Sequence, residues 1–296
     1  MKQEIIIYNH KTHPVWTKNY DICFAKKGCT NGAYTYSIDI CKHHIPVIKS
    51  ELEKTKYSKI LISTVETLSP EIIVKGTDLI ICYMHETVIR DMKKIEFHKD
   101  IKEKIIYIVS RQSSYKAIKS IGKDVIFLPM AIDVELLDGY RELYENKHQD
   151  KRVIYFGNKY LKKNKTYEDT KLWFQSKGWI FDEICYNRFN GGDLLTRPDV
   201  LHIISKYKYG IGEGRAVLEM NALGVKTLIC AGGNQGIMTS DEDFEIQKQH
   251  NYSDGNIWTF SNNIGKCIDN FDKAIIKTFD VHEVLPILQQ KLKDVL

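Results

Sequence analysis

The most constraining feature of this sequence is residues 209–233, where a strand, a glycine turn, a helix and a second strand follow one another. The run begins at Tyr209 with Tyr-Gly-Ile-Gly-Glu-Gly-Arg. Apolar residues then recur at helical spacing from 216 to 223, Gly224 is suited to end the helix, and residues 225–230 form an apolar run of strand length. The order predicts a strand–turn–helix–strand unit, the repeating unit of an α/β protein.

The first glycine turn and the helix behind it have the properties of a phosphate site. Gly212 and Gly214 let the backbone approach a ligand closely, and the helix directs N–H groups and its positive dipole end at the same place. Arg215 adds a permanently charged, fork-shaped donor. Glu219, one turn further on, offers a carboxylate for both hydroxyls of a sugar diol. Together these residues predict a nucleotide site.

A second glycine turn follows the next strand, at residues 232–236. Gly232 and Gly233 are expected at the same edge of the sheet, where open α/β sheets bind ligands. The spacing excludes a dehydrogenase-type dinucleotide site, because Val217 stands where the third small residue belongs and Cys230-Ala231, not an acid, ends the next strand. The alternative for the whole stretch is that its glycines only form turns and that Glu219 is a solvated helix residue.

Composition sets the size and class of the protein. With 296 residues, of which 43% are hydrophobic and 27% charged, the chain can form one large or two medium domains. No signal peptide precedes the first strand, and no apolar stretch approaches the roughly 20 residues that span a bilayer. We therefore expect a cytoplasmic protein. The net charge of +5 permits an acidic acceptor, an anionic surface or nucleic acid as a partner, and it establishes none of them.

The distribution of possible metal ligands predicts no metal and no disulfide framework. The seven cysteines are scattered without a C-x-x-C pair, and the ten histidines lack metal-ligand spacing. An acidic run, Asp-Glu-Asp at 241–243, follows Thr239. We interpret Thr239 and Glu242 as a capping box, and the acidic run as the start of a helix that extends to His250.

Strands and helices alternate in the first half, which predicts a mostly parallel sheet. The predicted strands there are residues 4–8, 59–63, 78–83, 104–110 and 124–129. A polar segment, 135–150, is predicted to link a first domain (1–134) to a second (151–296) that begins with a strand at 152–156. The tail, 281–296, has the aliphatic stripe of an amphipathic helix, for which packing is favoured over a membrane surface.

Residues 214–225, Gly-Arg-Ala-Val-Leu-Glu-Met-Asn-Ala-Leu-Gly-Val, together with 232–233, 239–242 and 251–253, resemble the nucleotide-binding half of GT-B glycosyltransferases. The resemblance is to the retaining, GT4-like branch, glycosyltransferase group 1. It implies two Rossmann-like domains that face a cleft, with the last helix crossing back to the first domain. It also implies that Glu219 holds the donor ribose.

Further site residues follow from the resemblance. Lys163 matches a lysine that the family directs at the donor diphosphate, and Asn158 stands where the family has an arginine. The resemblance implies that Arg215 and Lys163 stabilise the leaving diphosphate. His85, after the strand at 78–83, matches a histidine at the lip of the acceptor domain. Ile211 stands where the family has the first of two glutamates, and Glu213 lies two residues later.

The implied function is transfer of a sugar, expected to be a hexose, from a nucleotide-diphosphate sugar, with a UDP-sugar as the expected donor. No metal and no other cofactor are implied. Two alternatives stay open: a related epimerase or phosphorylase, and a catalytically idle GT-B-like module that binds nucleotide or nucleic acid. The acceptor is open among polysaccharide, lipid carrier, protein and DNA base, because acceptor loops carry little family signal.

Overall fold

Strands and helices alternate along the chain, and this order builds two sheets whose neighbouring strands are mostly parallel. The structure, a computed structural model, describes residues 4–7, 22–24, 45–55, 59–64, 79–84, 104–157, 165–185, 187–231, 234–250, 252 and 271–296. Each sheet has six strands in this part of the chain. The predicted α/β class is therefore confirmed.

The first sheet has the strand order β2-β1-β3-β4-β5-β6, with every described pair parallel. Its strands are β1 (Glu4–Ile7), β2 (Ile22–Phe24), β3 (Lys59–Thr64), β4 (Leu79–Met84), β5 (Lys104–Val109) and β6 (Asp124–Phe127). Strand β5 is an almost continuous apolar run, and its residues Ile106, Tyr107 and Ile108 are buried. Such a run is typical of a parallel strand that is covered on both faces.

The second sheet has the order β12-β11-β10-β7-β8-β9. Its strands are β7 (Arg152–Gly157), β8 (Ile180–Cys185), β9 (Arg188–Phe189), β10 (Tyr209–Gly212), β11 (Lys226–Ala231) and β12 (Asn234–Ile237). The pairs β8–β9 and β11–β12 are antiparallel, and the other described pairs are parallel. From β7 the chain first builds β8 and β9 on one side, and then β10, β11 and β12 on the other. The direction of sheet growth thus reverses between β7 and β10.

Eight α-helices lie in the described part of the chain. They are α1 (Ile45–Thr55), α2 (Gln112–Ser120), α3 (Val134–Asp138), α4 (Lys165–Ser176), α5 (Arg197–Ser205), α6 (Arg215–Ala222), α7 (Asp241–Gln249) and α8 (Val281–Val295). No helix in these ranges has the length and apolar character needed to cross a bilayer.

The chain divides into two compact units. One comprises Met1–Pro129 and His282–Leu296, and the other comprises Met130–Val281. Helix α8 starts at the end of the second unit and otherwise belongs to the first. Within the first unit, Lys104 donates to the carbonyl oxygen of Val295 at 2.6 Å, and Gln289 donates to Glu51 at 3.1 Å. These bonds fix the helix to elements that precede it by most of the chain.

The two faces of the second sheet differ in character. Alternate residues of its strands, such as Tyr155 of β7 and Ile211 of β10, join an aromatic core with Tyr167 and Phe174 of α4. The rings of Tyr155 and Tyr167 meet edge to face with centroids 4.7 Å apart. The other face of β10 presents glycines, and helix α6 packs on them.

Two local predictions need correction. Residues 234–236 were expected in a turn but belong to β12, which pairs with β11 through Ala231 and Asn234. Helix α7 is capped by Ser240 and Asp243, not by Thr239 and Glu242. Ser240 has an extended backbone, so its hydroxyl reaches the amide of Asp243 at 3.1 Å, while that carboxylate accepts from the Ser240 amide.

Lys147, in the predicted linker, is a buried amine that caps two helices. Its Nζ donates to the carbonyl oxygen of Ser205, the last residue of α5, and to that of Leu223, just after α6, at 2.9 Å. Burial and, to a smaller extent, the nearby charge of Arg141 lower the pKa of Lys147 to about 8, against the opposing effect of Glu142. A neutral amine keeps two N–H groups, enough for both carbonyls.

This geometry predicts a stability that rises with pH. The folded chain releases the Lys147 proton near pH 8, whereas the unfolded chain holds it to about 10.5. Between these values the unfolded state binds more protons, so the free energy of unfolding increases with pH. Compared with Lys147→Met, the wild type should gain roughly 2 kcal/mol between pH 7 and pH 9.5 in urea unfolding. A difference that does not change with pH would contradict this assignment.

Candidate functional site

The candidate site lies at the carboxyl end of β10, where the strand passes through a glycine turn into α6. Strand β10 is parallel to β7 on one side and to β11 on the other, so the three strands end at the same edge of the sheet. Gly157 ends β7 beside Gly212, which ends β10. The reversal of sheet growth lies between these two strands, and in open α/β sheets this is where ligands bind.

Gly210 and Gly212 permit close packing between β10 and α6. A Cβ atom at Gly212 would lie 2.6 Å from the Met220 Cε, 3.2 Å from the carbonyl oxygen of Phe156 and 3.3 Å from the Ala216 Cβ. At Gly210 it would lie 2.5 Å from the Met220 Sδ. These separations are below van der Waals contact, so a larger residue at either position would require the Met220 side chain and its neighbours to shift. The described contacts of Gly212 therefore assign it a packing role.

Gly214 starts the helix in a conformation that other residues avoid. Its φ is 61° and its ψ is −131°, and as the residue before α6 it supplies no side-chain cap. Its N–H donates to the carbonyl oxygen of Tyr252 at 2.9 Å. That amide is thus occupied by the protein, and a ligand at this helix end would meet the amides of the first turn, such as that of Ala216.

Arg215 and Glu219 form a buried ion pair along one face of α6. The Arg215 Nε lies 2.7 Å from the Glu219 Oε1, and the two side chains are 9% and 4% exposed. The spacing of four residues places them on adjacent helical turns. The structure therefore brings the two predicted residues together, and they form an ion pair with each other.

A second arginine, Arg197, completes the cluster. It is the first residue of α5, and its Nη2 lies 2.5 Å from the same Glu219 Oε1. Burial raises the pKa of Glu219, but the charges and hydrogen bonds of Arg197 and Arg215 outweigh this effect, so the pKa is lowered. Glu219 is ionised at neutral pH. The two guanidinium groups and the one carboxylate give this three-residue cluster a net charge of +1.

Glu213 follows β10 and is partly buried. Its charge adds to the burial that raises the pKa of the Cys230 thiol to about 12 and that of the Tyr155 hydroxyl to still higher values. Both groups are therefore neutral at physiological pH. The Tyr155 hydroxyl has no hydrogen-bond partner within the described residues, although it is fully buried. A Cβ atom at Gly157 would lie 2.6 Å from it, so this hydroxyl lies directly beneath the end of β7.

Four predicted site residues lie outside the described residues: His85, Lys163, Gly232 and Gly233. Among the described residues, no group of histidine, cysteine, aspartate and glutamate side chains could hold a metal ion. The acidic side chains at 241–243 lie in the first turn of α7, as interpreted from the sequence.

Arg197 and Tyr155 are the site residues that sequence reasoning missed. The pattern Thr196-x-x-Asp199 marks the start of α5, and the structure contains that capping box. Nothing in the pattern indicates that the first side chain of this helix reaches Glu219, because β10 separates α5 from α6 in the sequence and the contact depends on tertiary packing.

Comparisons with known proteins give structural similarities alone. No protein-family model and no curated protein matches the chain. Among solved structures, the chain is similar to an alpha-glucosyltransferase in complex with UDP and a 13-mer DNA containing a HMU base, at 10% identity and a TM-score of 0.43, covering 99% of this chain and 95% of that one. The chain is also similar to an alpha-glucosyltransferase in complex with UDP-glucose and DNA containing an abasic site, at 10% identity and a TM-score of 0.43. That match covers 99% of this chain and 94% of the other chain.

Because α6 packs closely on β10, one added methyl group at Gly212 should destabilise the fold. Gly212→Ala should lower the free energy of unfolding by about 1–3 kcal/mol, because the new methyl group overlaps Met220 and the carbonyl of Phe156. Gly139→Ala is the matched control, since Gly139 has a helical φ of −61° and no atom within 4 Å of the added Cβ.

Chemical denaturation measures both variants. The double variant Gly212→Ala with Met220→Ala should lose less free energy of unfolding than the sum of the two single variants. The reason is that Met220→Ala removes the Met220 atoms that the new methyl group overlaps. Equal, small effects at Gly212 and Gly139 would refute the packing role.

Proposed function

We propose that this chain is a glycosyltransferase of the GT-B type that transfers a sugar from a UDP-sugar to an acceptor, with retention of configuration and without a metal ion. One observation carries the proposal. The reversal of sheet growth between β7 and β10 coincides with the Gly214 turn, the N-terminus of α6 and the cluster of Arg197, Arg215 and Glu219. Position, helix dipole and net positive charge all favour a bound diphosphate.

Glu219 is assigned to the donor ribose. Both arginines bond its Oε1, and Oε2 takes no hydrogen bond from the described residues. A ribose hydroxyl would donate to Oε2, while Oε1 stays fixed by the arginines. The carboxylate is held in its ionised form by the same contacts, so it is a preformed acceptor.

The chemical step in this proposal depends on the leaving diphosphate. Negative charge grows on that group as the bond to the sugar breaks, and fixed positive charge around it lowers the barrier. We assign this role to Arg215, to the first-turn amides of α6 and to Lys163. Retention and metal independence follow from the sequence resemblance, as does a role for His85 at the acceptor side.

Binding of nucleoside diphosphates tests the proposal. Isothermal titration calorimetry with UDP, GDP, ADP and dTDP should give saturable binding for one of them, with UDP expected. Glu219→Gln should weaken that binding by about tenfold, because a neutral amide is a poorer acceptor for ribose. Glu245→Gln is the matched control, since Glu245 is exposed and pairs with Lys248 on α7.

Each outcome separates the alternatives. No binding by any diphosphate overturns the transferase and favours an idle module. An epimerase would convert the bound sugar nucleotide without an acceptor, whereas the transferase releases UDP when the sugar moves. Equal affinities in Glu219→Gln and Glu245→Gln would remove Glu219 from the donor site.

A further inference from the structure

Arg197 differs from Arg215 in how much of its guanidinium remains accessible. Both bond the same oxygen of Glu219, yet the Arg197 side chain is 37% exposed and that of Arg215 is 9% exposed. A guanidinium carries five N–H donors in a planar fork. The carboxylate engages Arg197 through Nη2, and no other hydrogen bond of Arg197 occurs among the described residues, so its remaining donors are available to a ligand.

The backbone that carries Arg197 is fixed at the start of α5. Thr196 caps the helix by accepting from the Asp199 amide, and the Asp199 carboxylate accepts from the amide and the hydroxyl of Thr196 at 3.1 Å and 2.5 Å. Pro198 follows in the first turn and restricts the backbone further. The side chain therefore leaves from a rigid point and ends at a rigid carboxylate, so little entropy is lost when it binds a ligand.

The electrostatic balance of the cluster also favours an anion. Arg215 alone would neutralise Glu219, and Arg197 brings the excess positive charge. Helix α6 adds its dipole, and its first turn contains no acidic side chain. The cluster thus has a net positive charge, and Arg197 is the more accessible of its two arginines.

We propose that Arg197 is a donor-binding residue whose outward N–H groups contact the diphosphate of the sugar nucleotide. The inference rests on the proposed function and adds to it a residue that neither the sequence pattern nor the resemblance assigns. In this arrangement Arg215 holds Glu219 in place for the ribose and adds positive charge beside the diphosphate, and Arg197 contacts the phosphates directly.

A series of ligands separates phosphate contact from indirect positioning. Uridine, UMP and UDP are titrated into wild type, Arg197→Met, Arg197→Lys and Arg188→Met. Arg188 is the control arginine, because it lies on the edge strand β9 and donates to the Gly192 carbonyl. Circular dichroism and thermal melting establish that each variant is folded before titration.

The proposal predicts a loss that depends on the phosphates. Arg197→Met should weaken UDP binding by about tenfold or more and leave uridine binding within about threefold, since charged hydrogen bonds to phosphate are the strong ones. Arg197→Lys should fall between Arg197→Met and the wild type because it keeps the charge but loses the fork. Arg188→Met should match the wild type.

Two results would overturn the assignment while leaving the proposed function intact. If UDP and uridine lose affinity by the same factor, Arg197 acts through the position of Glu219 and does not contact phosphate. If Arg197→Met binds UDP as tightly as wild type does, Arg197 has no part in donor binding. A wild-type chain that binds neither UDP nor the other diphosphates overturns both proposals together.

Discussion

The close packing of α6 on β10 determines where the charged residues of the second unit lie. Gly210 and Gly212 leave room for Met220, and the helix therefore begins directly at the carboxyl edge of the sheet. Arg215 and Glu219 occupy the first turns of that helix and are buried there. A larger residue at either position would require the Met220 side chain to shift, and at Gly212 it would also press on the carbonyl of Phe156. The two glycines therefore allow Met220 to pack directly against β10.

Burial of Arg215 and Glu219 gives the cluster its chemical character. A carboxylate away from water is stable when paired, and Glu219 is paired twice through one oxygen. The same contacts lower its pKa and leave a net positive charge at a helix N-terminus. A surface cluster of the same residues would be screened by water and salt. The fold therefore supplies the buried, ionised Glu219 on which the proposed diphosphate site depends.

Much of the second sheet could be predicted from the sequence, because its signals are local. Apolar runs located the strands near 152–156 and 225–230, and Gly224, with a φ of 72°, ends α6 as expected. Arg197 could not be found in this way, since its contact with Glu219 depends on how α5 and α6 are placed around the sheet. The packing role of Gly212 was hidden for the same reason: a glycine beside a turn has the same pattern whether a ligand or a methionine fills the space. The predicted capping box, Thr239 with Glu242, lies one residue before the observed one, Ser240 with Asp243, because Thr239 and Ser240 are both good caps.

The most direct test of this account is a crystal structure of the chain with UDP bound. The account predicts the two phosphates over the first turn of α6, between the ends of β7 and β10, with Arg197 within hydrogen-bonding distance and the ribose at Glu219. A nucleotide bound at any other place in the chain would contradict it.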